Sequence, residues 1–217
     1  MLELGIKFLL SYFIGSVMGS MVMGRVNGGV DIRTMGSGNA GGTNALRTQG
    51  RLFALGVVIV DVGKGFIGAA VIPGLDLPMV GESPDVSREW LVMCCAAAAV
   101  VGHVWPIYHE FRGGKGAATL IGTLLALAPV LLWPVLLTWI AVVALSGYVG
   151  LSTMMAGISA PAYLAVTRLP EDQPLFIYCL AMAAYLVFCH RSNIARMIAG
   201  TENRMTRAMF SSKVGKS

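Results

Sequence analysis

The sequence predicts an all-α integral membrane protein that forms a single polytopic domain over residues 1–217. Hydrophobic residues make up 56% of the chain and charged residues only 12%, about half the charged fraction of a soluble domain. The mean hydropathy is +0.72. Only helices and closed barrels satisfy their backbone groups within lipid. The apolar residues form long continuous runs without strand-like alternation, which favours helices over a barrel.

Apolar runs predict seven transmembrane helices, at 4–23, 52–72, 90–107, 117–128, 130–145, 151–166 and 175–189. Several are shorter than the roughly 20 residues that a full span prefers. The region 117–145 is ambiguous, because one helix there would be about 44 Å long and the hydrocarbon core is only about 30 Å thick. Since Pro129 and Pro134 offer a place to turn, we predict two short spans.

Basic residues gather on one side of the predicted membrane. With seven spans and the N-terminus outside, the outer segments hold only Lys7, Arg88 and Arg168, together with seven acidic residues. The cytoplasmic segments hold the other basic residues outside the spans. This positive-inside bias favours seven spans over six and predicts a cytoplasmic C-terminus. We expect the basic tail at 204–216 to contact anionic lipid headgroups, so the net charge of +5 does not indicate nucleic acid.

A polar, glycine-rich segment at 36–47 separates the first two apolar runs. Glycines let backbone N–H groups approach an anion closely, and successive N–H groups can form an anion-binding nest. A flexible linker also uses Gly and Ser, but it has little use for the donor side chains found here. We therefore predict a phosphate-binding loop, with side-chain donors on Ser37, Asn39, Thr43, Asn44 and Arg47.

Two further polar clusters precede or follow apolar runs. Gly113, Gly114 and Gly116 surround Lys115 just before a predicted helix, a second arrangement suited to an anion. The spacing is not that of a P-loop, and the alternative for the lysine is a snorkelling, positive-inside residue. In the segment 190–196, His190, Asn193 and Arg196 project from adjacent turns of one helix. The alternative there is a plain charged helix end.

Charged and small residues inside the apolar runs predict helix packing. Asp61 and Lys64 stand three residues apart in the second run, and unpaired charge in lipid is costly. We expect them to pair with each other or face a cavity, with Lys64 as an outer phosphate contact. Small residues at helix-packing spacing predict close helix contacts: Gly15 with Gly19, Ser16 with Ser20, and Ala96 with Ala99. Ser152 and Thr153 either line a site or bond back to their own helix.

Four motifs stand in order along the chain: GSGNAGGTNALR at 36–47, DVGKG at 61–65, GHVWPIYHEFRGGKGAAT at 102–119 and HRSNIARMIAGTE at 190–202. In these motifs the chain closely resembles the acyl-phosphate:glycerol-3-phosphate acyltransferases, the PlsY family of bacterial membrane enzymes. The resemblance implies a seven-helix enzyme of phospholipid biosynthesis, located in the bacterial inner membrane with its active site on the cytoplasmic side. It implies acyl transfer from acyl phosphate to the sn-1 hydroxyl of glycerol 3-phosphate, giving lysophosphatidic acid and inorganic phosphate. No metal or cofactor is expected.

Together the motifs and the resemblance predict the site residues. We expect catalytic roles for Ser37, Arg47, Lys115, His190 and Asn193. We expect substrate binding by Gly38, Asn39, Gly41, Thr43, Asn44, Lys64, His103, Arg112, Gly113, Gly114 and Arg196. The chain departs from the family's pattern at Gly42, where Ala is usual, at Arg112, where Lys is usual, and at Gly150, where Ser is usual.

Acyl phosphate is an activated mixed anhydride, so no covalent acyl-enzyme is expected, and the chain has no GxSxG elbow. Two phosphate-bearing substrates repel each other strongly where water is scarce. Arg47, Lys115 and the loop N–H groups would offset that repulsion and stabilise charge on the carbonyl oxygen and the departing phosphate. The proton acceptor stays open between His190, His103 and a substrate phosphate oxygen. We favour the phosphate, with the histidines holding geometry.

A rival class is a transporter or channel for an anionic metabolite, because intramembrane charges and broken helices suit one. The polar clusters crowd one predicted face and no inverted repeat is visible, which argues against it. A purely structural subunit would not need four polar motifs. The expected partners are acyl phosphate, glycerol 3-phosphate and membrane lipids, with the acyl chain lying between helices. A monomer is compatible with the sequence, which fixes neither the oligomeric state nor the acyl length.

Overall fold

The computed structural model describes residues 1–205, within which the chain forms α helices and short helical turns but no β strand. This confirms the all-helical prediction for the described part. Residues 206–217, with Arg207, Lys213 and Lys216 of the predicted basic tail, lie outside the described residues. The helices are α1 Leu2–Gly15, α2 Gly19–Val26, α3 Gly42–Gln49, α4 Arg51–Phe66, α5 Arg88–Val104, α6 Ala117–Leu127, α7 Leu132–Ser146, α8 Val149–Thr167, α9 Gln173–Cys189 and α10 Arg191–Ile198.

Four helical segments in this part of the chain are long and apolar enough to cross a membrane: Arg51–Gly74, Arg88–His109, Pro129–Ser146 and Val149–Thr167. Two bent pairs raise the number to six if each counts as one span: α1 with α2, bent by 42°, and α9 with α10, bent by 52°. The remaining apolar helix, α6, has 11 residues and is about 17 Å long, well below a hydrocarbon thickness of about 30 Å. Seven crossings therefore stay a prediction.

The first predicted span is not one continuous helix, which corrects the expectation for residues 4–23. Met18 has an extended backbone, with φ −94° and ψ 122°, between α1 and α2. The break leaves polar backbone groups inside the bundle, and α4 provides their partners. The Gly19 N–H donates to Asp61 Oδ1 at 3.0 Å, and Lys64 Nζ donates to the Val17 carbonyl at 2.7 Å.

Asp61 and Lys64 also pair with each other, at 2.9 Å between Oδ1 and Nζ. Their side chains are only 1% and 4% exposed, so each charge depends on the other and on the broken backbone for its stabilisation. The predicted pairing is confirmed. The pair stabilises the break between α1 and α2 by bonding to backbone groups there, because an unsatisfied backbone group inside a membrane costs several kcal/mol.

Close approach of helix backbones follows the small residues, as predicted. A Cβ atom at Gly15 would overlap the backbone of Ala99, and one at Gly102 would overlap the Tyr12 carbonyl, so α1 and α5 pack backbone against backbone. Gly122 of α6 lies in the same way against the Val62 carbonyl of α4. These contacts bring the end of α5 and the start of α6, which the sequence predicts on the cytoplasmic side, next to helices α2 to α4.

The predicted turn within 117–145 is confirmed. The backbone of Ala128 is extended, with φ −158° and ψ 84°, and Pro129 begins a short helical turn before α7. Pro134 lies in the first turn of α7, where the missing N–H has no helical partner to lose. The chain then returns through the α7–α8 hairpin, and α9 packs on α8 and α5.

Buried residues from α5, α6, α8, α9 and the turn before α7 form the largest apolar core, which includes Leu120, Leu124, Leu131, Leu164, Met182 and Leu186. After α10, residues 201–205 turn back across the end of the α7–α8 hairpin. The Met205 N–H donates to the Gly147 carbonyl at 2.7 Å, and the Arg204 guanidinium lies 4.8 Å from the Tyr148 ring centroid. This return segment closes one side of the cavity described next.

Candidate active site

A cavity of about 600 Å³ lies at the end of the bundle where α3, the ends of α5 and α9, and the starts of α6 and α8 meet. It gathers polar side chains that are far apart in sequence. The lining includes eleven of the predicted site residues: Ser37, Asn39, Gly41, Thr43, Asn44, Arg47, His103, Lys115, His190, Asn193 and Arg196. Five predicted residues do not line it: Gly38, Lys64, Arg112, Gly113 and Gly114.

Local hydrogen bonds keep Gly38 and Lys64 away from the cavity. Gly38 has φ +71° and donates its N–H to the Met35 carbonyl at 3.0 Å, so it serves a turn that glycine favours. Lys64 points instead to Asp61 and the Val17 carbonyl. Its ammonium thus holds the helix break, and the outer phosphate contact stays a prediction.

Gly113 and Gly114, the glycines before Lys115, pack on His103. Gly114 donates its N–H to the His103 carbonyl at 3.2 Å. A Cβ atom at Gly114 would overlap the His103 ring, and one at Gly113 would overlap the His103 carbonyl. Arg112 is exposed, and its carbonyl lies 3.4 Å from Arg33 Nη1. This tight turn fixes where Lys115 enters the cavity, and substrate binding by Gly113 and Gly114 stays a prediction.

Asn44 lines the cavity, but its amide is used to build the loop. Nδ2 donates to the carbonyls of Ile32 at 2.9 Å and Met35 at 3.0 Å, and Oδ1 accepts the Ser37 N–H at 3.0 Å. A primary amide has two N–H donors, so neither remains for a substrate phosphate. These bonds give Asn44 a positioning role, in which it holds the loop that carries Ser37, and direct substrate binding by Asn44 stays a prediction.

The strongest anion-binding feature of the cavity is the N-terminus of α3 together with Arg47. Gly41 caps this helix without a side-chain hydrogen bond, and Gly42 and Thr43 line the cavity. The first N–H groups of a helix have no partner within the helix, and the helix dipole favours an anion there. Arg47 adds a guanidinium whose buried Nε has no hydrogen-bond partner among the described residues.

On the other side of the cavity four side chains form a continuous chain of contacts. Lys115 Nζ donates to Asn193 Oδ1, and Asn193 Nδ2 donates to Glu202 Oε1 at 2.7 Å. Glu202 Oε2 accepts from Arg196 Nε at 2.6 Å. Burial in the loop before α6, helped by the nearby Arg196 charge, lowers the pKa of Lys115 to about 8. The ammonium is thus poorly solvated and poised to gain from an arriving anion.

The two histidines occupy different settings. His190 Nδ1 lies 2.8 Å from the Leu186 carbonyl, and a carbonyl can only accept, so Nδ1 carries a proton and Nε2 of the neutral ring is an acceptor. His103 is buried, with Nδ1 3.4 Å from Asp61 Oδ1 and its ring packed on Gly114. His190 therefore lines the cavity with Nδ1 held by its own helix, whereas the ring and carbonyl of His103 support the turn before Lys115.

An apolar groove of about 310 Å³ continues from the polar cavity between α6, α7, α8 and α9. The two spaces share the residues Ala117, Ile121, Trp139 and Thr153. Beyond that junction the groove is lined by apolar side chains of the four helices. The site as a whole therefore joins a basic, hydrogen-bonding compartment to a slot suited to a hydrocarbon chain.

A family model described as glycerol-3-phosphate acyltransferase matches residues 5–200. The chain belongs to the glycerol-3-phosphate acyltransferase family. A relative of that name from Chlorobium luteolum is 36% identical over 220 residues, covering 90% of this chain and 94% of the relative. Another from Chlorobaculum tepidum is 34% identical over 219 residues, covering 91% and 94%.

Solved structures give the same result. A crystal structure of PlsY (YgiH), an integral membrane glycerol 3-phosphate acyltransferase, in its glycerol 3-phosphate form has a TM-score of 0.81 and 29% identity, covering 97% of this chain and 99% of that one. The lysophosphatidic acid form of PlsY also has a TM-score of 0.81. The resemblance inferred from the motifs is confirmed, and the protein is an integral membrane member of the family.

The cavity lining also includes residues that were not among the predicted site residues, such as Arg51, Gly150 and Glu202. Glu202 stood at the end of the fourth motif and could have been selected as the carboxylate that neutralises Arg196. Gly150 could not, because its importance is steric. A Cβ atom there would lie 2.8 Å from Asn193 Nδ2 and 3.0 Å from Asn193 Cβ, so the absence of a side chain leaves room for Asn193.

The two hydroxyls after Gly150 bond back to their own helix. Ser152 Oγ donates to the Tyr148 carbonyl and Thr153 Oγ1 to the Val149 carbonyl, both at 2.8 Å. Of the alternatives that the sequence left open, the backward bond therefore applies to both residues. Thr153 in addition lines the cavity, and it accepts from Trp139 Nε1 at 3.3 Å.

Proposed function

We propose that this protein transfers a fatty acyl group from acyl phosphate to the sn-1 hydroxyl of glycerol 3-phosphate. The products are lysophosphatidic acid and inorganic phosphate, and the reaction is a first step of phospholipid synthesis. One observation carries the proposal: a cavity lined by basic and hydrogen-bonding groups from distant parts of the chain shares four lining residues with an apolar groove. The glycerol 3-phosphate and lysophosphatidic acid forms of the related PlsY support the acceptor and the product.

The two anion-binding groups match the two phosphates of the reaction. The N-terminus of α3 and Arg47 hold one phosphate, and Lys115 with Arg196 and Asn193 holds the other. Among the described residues the cavity lining has four basic side chains, Arg47, Arg51, Lys115 and Arg196, against the two carboxylates of Asp61 and Glu202. Asp61 is already paired with Lys64. The surplus positive charge offsets the repulsion between two anions in a poorly solvated site.

In the proposed reaction the sn-1 oxygen attacks the acyl carbonyl carbon and a new ester C–O bond forms. The C–O bond to the phosphate breaks, and the phosphate leaves with the electron pair. The hydroxyl proton passes to a phosphate oxygen, whose second pKa is near 6 in general. His190 Nε2 and the Ser37 hydroxyl orient the acceptor, and Lys115 with Asn193 stabilises charge that develops on the leaving group.

The proposed donor is acyl phosphate because its two halves fit the two compartments. The phosphate end needs the basic cavity, and the acyl chain needs the apolar groove that begins at Ala117 and Trp139. The anhydride brings its own leaving group, so no enzyme nucleophile is required. We further propose one polytopic domain in the bacterial inner membrane, with seven crossings, an external N-terminus, and the cavity on the cytoplasmic side.

The topology is tested by cysteine labelling in intact cells with a membrane-impermeant thiol reagent. One substitution is Asp85→Cys, because Asp85 lies in the loop before α5. The other is Asn27→Cys, because Asn27 follows α2 at the end of the bundle that holds the cavity. We expect Asp85→Cys to react in intact cells and Asn27→Cys to react only after permeabilisation. The reverse pattern would place the cavity outside and overturn the proposed orientation. The unsubstituted protein serves as the control for its own four cysteines.

The activity is tested on detergent-purified protein with glycerol 3-phosphate and three alternative donors: palmitoyl phosphate, palmitoyl-CoA and palmitoyl-acyl carrier protein. We expect lysophosphatidic acid from palmitoyl phosphate alone. Product from the thioesters but not from the phosphate would overturn the donor. A transporter would release no product in detergent and would instead move glycerol 3-phosphate into proteoliposomes, so uptake without product would favour that rival.

A further inference from the structure

The depth of the apolar groove can be measured separately along each of the four helices that line it, α6, α7, α8 and α9. The deepest lining residues are Leu124, Leu132, Ala160 and Cys179, and the shallowest on the same helices are Ala117, Trp139, Thr153 and Leu186. On each of these helices the deepest and the shallowest lining residue are seven positions apart in the sequence. At 1.5 Å per residue this corresponds to about 10 Å. A fully extended chain advances about 1.2 Å per bond, so the groove beyond the junction accepts about eight carbons.

The far end of the groove is closed by packed side chains. Leu164 and Leu175 lie one turn farther along α8 and α9, and Leu131 directly precedes Leu132 of α7; all three are buried in the same core as Leu124, Ala160 and Cys179. Behind the deepest tier, Thr123 Oγ1 and Tyr178 OH share a hydrogen bond at 2.7 Å, which ties α6 to α9. A packed core yields little to extra methylenes, so this end forms a stop.

Small residues of α8 create the space inside the groove. Ala156 and Ala160 both line it, and both are buried. They stand four residues apart, about 6 Å along the helix axis, on the same face of α8. A larger side chain at either position would fill the groove at a known depth without touching the polar cavity, whose lining includes neither residue.

We propose that the packed far end of this groove limits the length of the donor's acyl chain, with Ala160 setting the deep limit and Ala156 the depth one turn above it. This inference rests on the proposed function, because the groove receives an acyl chain only if the polar cavity receives its phosphate. The occupant is assigned from the continuity of the two spaces through Ala117, Ile121, Trp139 and Thr153.

The test compares kcat/KM for octanoyl, decanoyl, dodecanoyl, tetradecanoyl and palmitoyl phosphate in purified wild-type protein and variants. Ala160→Leu should lower kcat/KM for the longest donor that the wild type uses well by about tenfold or more, since a few methylenes in an apolar site are worth that much. It should leave octanoyl phosphate within about twofold of the wild type. Ala156→Leu should move the cut-off about five carbons shorter, as the 6 Å spacing requires.

Ala162→Leu is the matched control, because Ala162 is on the same helix but exposed and outside the groove. Leu124→Ala gives the opposite test: it removes volume at the stop and should raise kcat/KM for a donor two carbons longer than the longest that the wild type uses well. An equal loss of kcat/KM at every chain length in the α8 variants would overturn the proposal that the groove limits chain length. The absence of any dependence on chain length in all variants would also overturn it. A wild-type protein that uses no acyl phosphate would instead overturn the proposed function.

Discussion

Asn193 Nδ2 donates to Glu202 Oε1 at 2.7 Å, a contact that joins the end of the last predicted span to the return segment. Because the other Glu202 oxygen accepts from Arg196, this single carboxylate orients two groups of the cavity. Asn193 can then present Oδ1 to Lys115. Glu202 thus positions Asn193, which contacts Lys115 in the part of the cavity proposed for the leaving phosphate. Glu202 need not contact either substrate to do so.

Glu202→Gln should weaken both the fold and the reaction. A glutamine can still accept from one donor, but its NH₂ group faces the donors of Asn193 or Arg196, and hydrogen bonds to charged groups contribute about 1.5–3 kcal/mol. We expect a lower Tm in detergent and a lower kcat. Glu82→Gln is the control, because Glu82 pairs with Arg88 at the opposite end of the bundle and is 83% exposed. Unchanged Tm and kcat in Glu202→Gln would contradict the positioning role.

Gly150→Ala should move Asn193 and lower kcat. The added Cβ would lie within 3.0 Å of three Asn193 side-chain atoms, and small displacements in an active site can cost up to about 100-fold in rate. Gly63→Ala is the matched control, since a Cβ at Gly63 meets no atom within 4 Å. Both variants should fold with similar Tm. Equal kcat in the two variants would show that the space beside Asn193 is not needed.

The rate should depend on pH through Lys115. Its pKa is lowered to about 8 in the unliganded protein, so the ammonium that receives an anion is lost as pH rises through that value. We expect kcat/KM to fall above about pH 8 with a single ionisation. Bound phosphate favours the charged form, so the corresponding fall in kcat should occur at higher pH.

Substrate phosphates do not explain that fall, because they are fully ionised well below pH 8. Lys115→Arg provides the control, since a guanidinium stays protonated throughout the range. This variant should be slower overall but should lack the alkaline fall in kcat/KM. An unchanged alkaline fall in Lys115→Arg would assign the ionisation to another group.

The Asp61–Lys64 pair should stabilise the break between α1 and α2. Lys64→Met leaves a buried carboxylate without its partner and the Val17 carbonyl without its donor, which we expect to cost about 3–5 kcal/mol. In the double variant Asp61→Asn with Lys64→Met, the asparagine oxygen can still accept the Gly19 N–H. The double variant should therefore have a higher Tm than Lys64→Met alone.

A surface pair serves as the comparison for that experiment. Arg168 and Asp172 lie 3.2 Å apart, with side chains 52% and 40% exposed, and exposed pairs contribute little. Arg168→Met should leave Tm nearly unchanged. A double variant less stable than Lys64→Met would contradict the account of the helix break.

Parts of the fold and site were accessible from sequence because they depend on local chemistry. The apolar runs located the helices to within a few residues, and the turn near Pro129 followed from the length of the run. The break at Met18 was not predictable, because residues 16–18 contain neither proline nor a polar run, and the groups that satisfy it come from α4. The hydrogen bonds of Asn44 and of the Gly114 N–H were not predictable for the same reason: partners elsewhere in the chain decide which N–H groups remain available.

The central claim is direct transfer of an acyl group between two anions held in one cavity. It is tested most directly by measuring phosphate release from palmitoyl phosphate by the purified protein, with and without glycerol 3-phosphate. The account predicts that phosphate appears only when glycerol 3-phosphate is present, with no initial burst in its absence, and that each phosphate is matched by one lysophosphatidic acid. A stoichiometric burst without glycerol 3-phosphate would indicate an acyl-enzyme, and no release in its presence would contradict the claim outright.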